Sequence, residues 1–235
     1  DLMLSWMGRM QEAQANLRSA LAFAEREDRA ASWMHVTLVD LEWISGRKDQ
    51  ALAAARRAYE RAQASSSPFF HAMGLRALGV AHTLMGDYPQ AIEFLEQSLP
   101  LVAPGALAHQ FESAQFSALA NAYLGAGRVD NAAHMAQRAV ASAWHAGAQV
   151  YEIHAWIALL ALPVTGDWAG QATEGLARME ALIDSSGAEG FRGWLLQARA
   201  HWSRDPAQAT HYRELARQQF ARIWADDREL VASVG

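Results

Sequence analysis

Nine histidines, His35, His71, His82, His109, His134, His145, His154, His201 and His211, make metal binding the first chemistry to consider. A helix builds a two-ligand face from histidines three or four residues apart, and no two of these have that spacing. His71 and His82 would stand about three turns apart, too far to share an ion. The pattern is that of ordinary surface and packing histidines. Carboxylates read the same way. General acid–base catalysis needs two of them in a shaped, water-poor pocket. Glu25, Glu27 and Asp28 instead fall at an expected helix end, and Asp226 and Asp227 fall in the tail. Arg47, Lys48, Arg56, Arg57 and Arg61 could hold phosphates. Asp49 and Glu60 interrupt them, as on a solvated helical face. No G-x-x-x-x-G-K-[ST] loop, H-E-x-x-H, G-x-S-x-G or strand-borne G-x-G-x-x-G occurs. The chain has no cysteine, which removes disulfides, thiol nucleophiles and cysteine-ligated metals together. No catalytic residue, metal or cofactor is therefore expected.

Binding is the class that remains, and it depends on the elements that carry the side chains. The chain is 51% hydrophobic with only six prolines, a composition that excludes disorder and favours closely packed helices. A net charge of −5 gives no support to a nucleic-acid surface. No apolar run approaches ~18 residues, so no membrane span is expected. The N-terminus lacks the charged-then-apolar pattern of a signal peptide, and the expected location is the cytoplasm.

One short phrase recurs along the chain. It reads LSWMGR, LEWISGR, HTLMGD, YLGAGR, LPVTGD and AHWSRD, ending at Arg9, Arg47, Asp87, Arg128, Asp167 and Asp205. The intervals are 38, 40, 41, 39 and 38 residues, a near-constant period that marks stacked supersecondary units. The residue before each end point is Gly8, Gly46, Gly86, Gly127, Gly166 or Arg204. A glycine there can take a positive φ and end a helix. Eight residues before this anchor stand Leu38, Leu78, Leu119, Ala158 and Leu196; five after it stand Ala13, Ala51, Ala91, Ala132, Gln171 and Ala209. Twelve after it stand Ala20, Ala58, Ser98, Ala139, Arg178 and Ala216. Small residues two helical turns apart let a second helix cross the first closely.

The expectation is an all-α, right-handed α-solenoid of antiparallel helix pairs. It should hold about eleven helices in a single unit over 1–235, with turns near 8, 28, 46, 66, 86, 105, 127, 147, 166, 187 and 204. Gly8 follows only seven residues, so the first helix reads as incomplete and the chain as a piece of a longer polypeptide. End units have one neighbour instead of two. The first helix and the tail after Ala225 should then be the least protected from hydrogen exchange.

This pattern resembles the tetratricopeptide repeat. The stretch LANAYLGAGRVDNAA, residues 119–133, carries that family's leucine, small residue, asparagine, alanine, tyrosine and glycine, and the alanine five residues on. The stretch LGVAHTLMGDYPQAI, residues 78–92, matches nearly as well. The chain departs from the family in its period, near 40 instead of about 34, and in lacking the proline near the end of the second helix. Longer helices of this kind resemble the repeat regions of large bacterial signalling regulators, namely maltose-activator-type ATPases and repeat-bearing adenylate cyclases. GAQVYEIHAWIALL and GAEGFRGWLLQARA are most similar to that group. The resemblance implies a sensor and protein-interaction arm beside a nucleotide-binding switch and an output domain.

The resemblance also implies which residues meet a partner. In the family, first helices line the concave surface and present positions thirteen, ten, six and three before the anchor. Those positions include Trp33, Asp40 and Trp43, then Arg76, Asn121 and Trp156, then Trp194 and His201. Asn121 falls where the family's asparagine grips a peptide backbone, and the Arg76 guanidinium suits a carboxylate. Tryptophan and arginine dominate interface energetics, although several of the nine tryptophans must simply fill gaps between helices. Two readings stay open. One is a non-catalytic module that binds a peptide, a protein or another part of its own chain. The other is a small-molecule effector sensor of the same fold. An open channel with polar rims fits the first, and a closed pocket with converging aromatics fits the second. Neither involves nucleic acid or a membrane, and both allow a homo-oligomer.

Overall fold

In the computed structural model, residues 2–26, 31–103, 105 and 111–223 are described, and they form twelve α-helices with no strand among them. The chain is an all-α, tetratricopeptide-like solenoid. The helices are α1 (Leu2–Trp6), α2 (Met10–Arg26), α3 (Ala31–Ser45), α4 (Lys48–Gln63), α5 (Pro68–Met85) and α6 (Tyr88–Val102). They continue as α7 (Glu112–Gly125), α8 (Val129–Ala146), α9 (Gln149–Leu160), α10 (Ala172–Ser186), α11 (Arg192–Trp202) and α12 (Pro206–Ile223). Short 3-10 turns, Asp167–Gln171 and Glu189–Phe191, precede α10 and α11. Among the described residues no helix is long and apolar enough to cross a membrane.

The repeated glycine acts as the sequence suggests in four of its five occurrences. Gly8, Gly46, Gly86 and Gly127 have φ of 79, 65, 82 and 73°. At each, the next residue's N–H donates to a carbonyl five residues back. These bonds are Arg9 to Leu4 at 2.8 Å, Arg47 to Glu42 at 3.0 Å, Asp87 to His82 at 2.9 Å and Arg128 to Tyr123 at 2.8 Å. That is the Schellman closure, and it fixes how the second helix leaves the first. Gly166 differs: it is extended, with φ −90° and ψ 170°. Helix α9 has already ended at Leu160, and the Trp168 indole donates to the Pro163 carbonyl at 2.7 Å. A Cβ on Gly166 would collide with that indole, so space and not backbone sign calls for glycine here.

Each pair then nests on its small face. Ala13, Ala51, Ala91 and Ala132 are fully buried, as are Ala58, Ser98, Ala139 and Ala216. The fifth pair, α9 with α10, departs, because Gln171 and Arg178 occupy the expected small positions. Ala172 and Gly175 take over the close contact. A Cβ on Gly175 would stand 2.7 Å from the Trp156 ring, so the wide indole uses the space a side chain would fill. The first helices form an inner layer in which α3, α5, α7, α9 and α11 touch in succession.

The two ends of the array also meet. Ala216, Phe220 and Ile223 of α12 share one apolar cluster with Met10 and Leu17 of α2 and with Leu41 and Ile44 of α3. Burying such side chains is worth about 1.5–3 kcal/mol each. The turn at Gly8 lies against Ile223 at 3.6 Å and the Gly190 backbone at 3.7 Å, both measured from the position of an ideal Cβ. The N-terminal pair therefore has neighbours on both sides, unlike the single neighbour expected for an end unit. The expected turn near 28 and the tail after Ala225 lie outside the described residues.

Candidate functional site

Among the described residues, the inner layer lines a pocket. Helix α3 contributes Asp40 and Trp43; α5 contributes Arg76, Val80 and Thr83; α7 contributes Ala114, Ser117 and Asn121. These steps of three and four residues keep the side chains on one face of each helix. Helix α9 adds Tyr151 and His154, and α1 adds Leu2 and Trp6. The pocket is small, about 50 Å³, room for a few waters or a compact polar group.

At its centre the Arg76 guanidinium donates to both oxygens of Asp40, at 2.8 and 3.3 Å. The Arg76 side chain is 12% exposed and that of Asp40 24%. Burial works against the Arg76 charge, but the Asp40 carboxylate outweighs it and raises the guanidinium pKa further. Burial also pushes the Tyr151 phenol up, with Arg76 pulling the other way and Asp40 adding to the rise. Burial pushes the His154 imidazole down to about 4; Asp40 opposes this and Arg76 reinforces it. His154 is thus neutral at physiological pH and offers one donor and one acceptor. Its ring lies 5.7 Å from Trp43 and 4.9 Å, edge-on, from Phe191.

Of the residues picked out by sequence, Asp40, Trp43, Arg76 and Asn121 come together in this pocket. Trp194 stands behind it, stacked on Trp43 at 6.0 Å and 12° and edge-on to Phe220 at 4.8 Å. It supports a wall without lining the pocket. Three others lie elsewhere. Trp33 forms an aromatic triangle with Phe69 and Phe111, with centroids 5.7–5.8 Å apart. Trp156 is buried against Gly175, its indole donating to Glu152 at 3.3 Å. His201 shares a hydrogen bond of 2.9 Å with the Leu162 carbonyl. The displacement of Trp156 has a plain cause. The longer turn after Leu160 breaks the fixed distance between anchor and helix, so counting back from Gly166 selects the wrong face of α9. Tyr151 and His154 take the inner positions instead. No residue type singles them out in the sequence, since Gln149 and Glu152 are polar on the same helix.

Outside the pocket, Glu152 is 2% exposed. Arg178 compensates it with contacts of 2.7 and 2.9 Å and stands 4.6 Å over the exposed Trp144 ring.

Residues 75–106, from within α5 through the Gly86 turn and α6, match the tetratricopeptide repeat family. A comparison with curated proteins finds no match to the chain. Repeats of the matched family generally mediate protein–protein interaction, and with the helix-pair architecture this supports a non-catalytic interaction module.

Proposed function

We propose that the chain is a recognition module that holds a protein or peptide, or another part of its own chain, on the inner face of its solenoid, within a larger bacterial signalling regulator of the cytoplasm. One observation carries the reading. Five successive first helices deliver side chains to a shared pocket whose Asn121, Tyr151 and His154 have hydrogen-bonding groups to spare. The regulator setting rests on the resemblance of residues 147–160 and 187–200 to such repeat arms. Panning a displayed random-peptide library tests the proposal. Retained peptides should lose binding to a Thr83→Phe variant, whose ring fills the pocket, while circular dichroism stays unchanged. If every retained peptide is indifferent to that substitution, the inner-face reading is wrong.

A specific observation favours the small-effector reading as well: Trp6, Trp43, Tyr151 and His154 converge on a space of only about 50 Å³. Tryptophan fluorescence separates the two readings. Saturable quenching by a metabolite at micromolar levels, with no peptide retained, would favour the effector.

A further inference from the structure

We infer that the pocket selects a compact, uncharged group that both donates and accepts hydrogen bonds, of the kind a primary amide presents. The inference rests on the inner-face reading above and names the chemistry that face would hold.

Charge is the first argument. Among the described residues, Asp40 and Arg76 are the only ionised side chains lining the pocket, and they neutralise each other's charge, although the Arg76 Nε–H keeps no hydrogen-bond partner. A charged guest must either break that pair or lie unpaired beside it, and both are costly where water is scarce. Tyr151 and His154, the other titratable groups facing the space, are neutral at physiological pH. The lining as a whole therefore carries no net charge to attract an anion or a cation.

Hydrogen-bonding capacity is the second argument. Thr83 and Ser117 spend their hydroxyl protons on their own helices, donating to the Gly79 and Ser113 carbonyls at 2.8 and 3.0 Å. They keep only acceptor capacity. The Asn121 amide, the Tyr151 hydroxyl and the His154 ring make no side-chain hydrogen bond among the described residues. Each of the three can both donate and accept. A guest with one acceptor oxygen and one N–H₂ group meets both needs. The remaining walls are apolar: Leu2, Trp6, Trp43, Ile44 and Val80. They exclude water and suit a short hydrocarbon stem. The small volume limits the guest to a compact group.

Propionamide, propionate and propionamidinium have the same five heavy atoms and differ in charge. Each is titrated into the intact chain at matched ionic strength and followed by the indole N–H resonances of Trp6 and Trp43, assigned with Trp6→Phe and Trp43→Phe. Propionamide should shift them saturably and bind at least about ten-fold more tightly than either ion. Asn121→Ala and Tyr151→Phe should each weaken it about five-fold while melting like the parent. The inference is overturned if either ion binds as well as propionamide. It is overturned equally if no probe saturates by about 200 mM, a weak limit for a five-atom ligand. Peptides lost on Thr83→Phe, together with a preference for a charged probe, would sink this inference and leave the inner-face reading standing. Peptides indifferent to Thr83→Phe, together with saturation by propionamide, would do the reverse.

Discussion

The Arg76 guanidinium on α5 is held in a two-pronged grip by the Asp40 carboxylate on α3, 36 residues earlier in the chain. The pair joins two successive first helices across the inner face, and neither member is more than a quarter exposed. Removing one charge strands the other. Asp40→Asn should therefore cost about 2 kcal/mol, below the range for fully buried pairs because water still reaches the carboxylate. Asp40→Leu combined with Arg76→Met should recover most of that loss. Urea denaturation of Asp40→Leu, Arg76→Met and the double variant gives the coupling directly. A double variant as unstable as the sum of the singles would show that the pair contributes little.

His154 makes the fold sensitive to acid. Its folded pKa of about 4 lies below the ordinary 6.5, so the unfolded chain binds more protons between those values. Stability then rises with pH across that window and is lost as pH falls from about 6.5 towards 4. The loss attributable to this residue is about 3 kcal/mol. His35 is likewise pushed down by burial and contributes with the same sign. The measurement is thus the difference in pH dependence between the parent and His154→Gln, which should be flatter over that window.

The alanine faces are tested at Ala132, which is fully buried where α8 meets α7. Ala132→Arg adds both bulk and an unpaired charge, and should cost more than ~2 kcal/mol. A thermal melt superimposable on the parent's would mean that α8 does not press its small face onto α7.

Gly190 tests the contact between the ends. A Cβ there would strike the carbonyl oxygens of Ser5 and Trp6, and backbone cannot swing aside as a side chain can. Gly190→Ala should detach α1 and cost about 1–3 kcal/mol. Hydrogen exchange should speed up over residues 2–8 while α5 to α8 keep the parent's protection.

Much of the architecture was legible because one covalent pattern maps onto one local geometry. Gly46, Gly86 and Gly127 announce helix ends, and the alanines five residues later announce the crossing that follows. The pocket was legible on α3, α5 and α7 for the same reason. It was not legible on α9, where LPVTGD keeps the repeat's length while the backbone leaves the helix at Leu160. Sequence period and helical phase part company there, and Trp156 turns away from the inner face. Leu2 and Trp6 had no sequence signal at all. They reach the pocket because α1 is held between α3 and the Glu189–Phe191 turn, a contact between distant parts of the chain that no local spacing encodes.

The cluster that unites α12 with α2 and α3 changes how such an array must respond to load. An open string of helix pairs yields to tension one unit at a time, each joint giving way for itself. Here, pulling the termini apart must first prise Phe220 and Ile223 from Met10 and Leu17, so the opening blow falls at the seam and the rest is shielded until it breaks. The molecule behaves as a clasped bracelet, and its clasp packs against Trp6, which also lines the pocket.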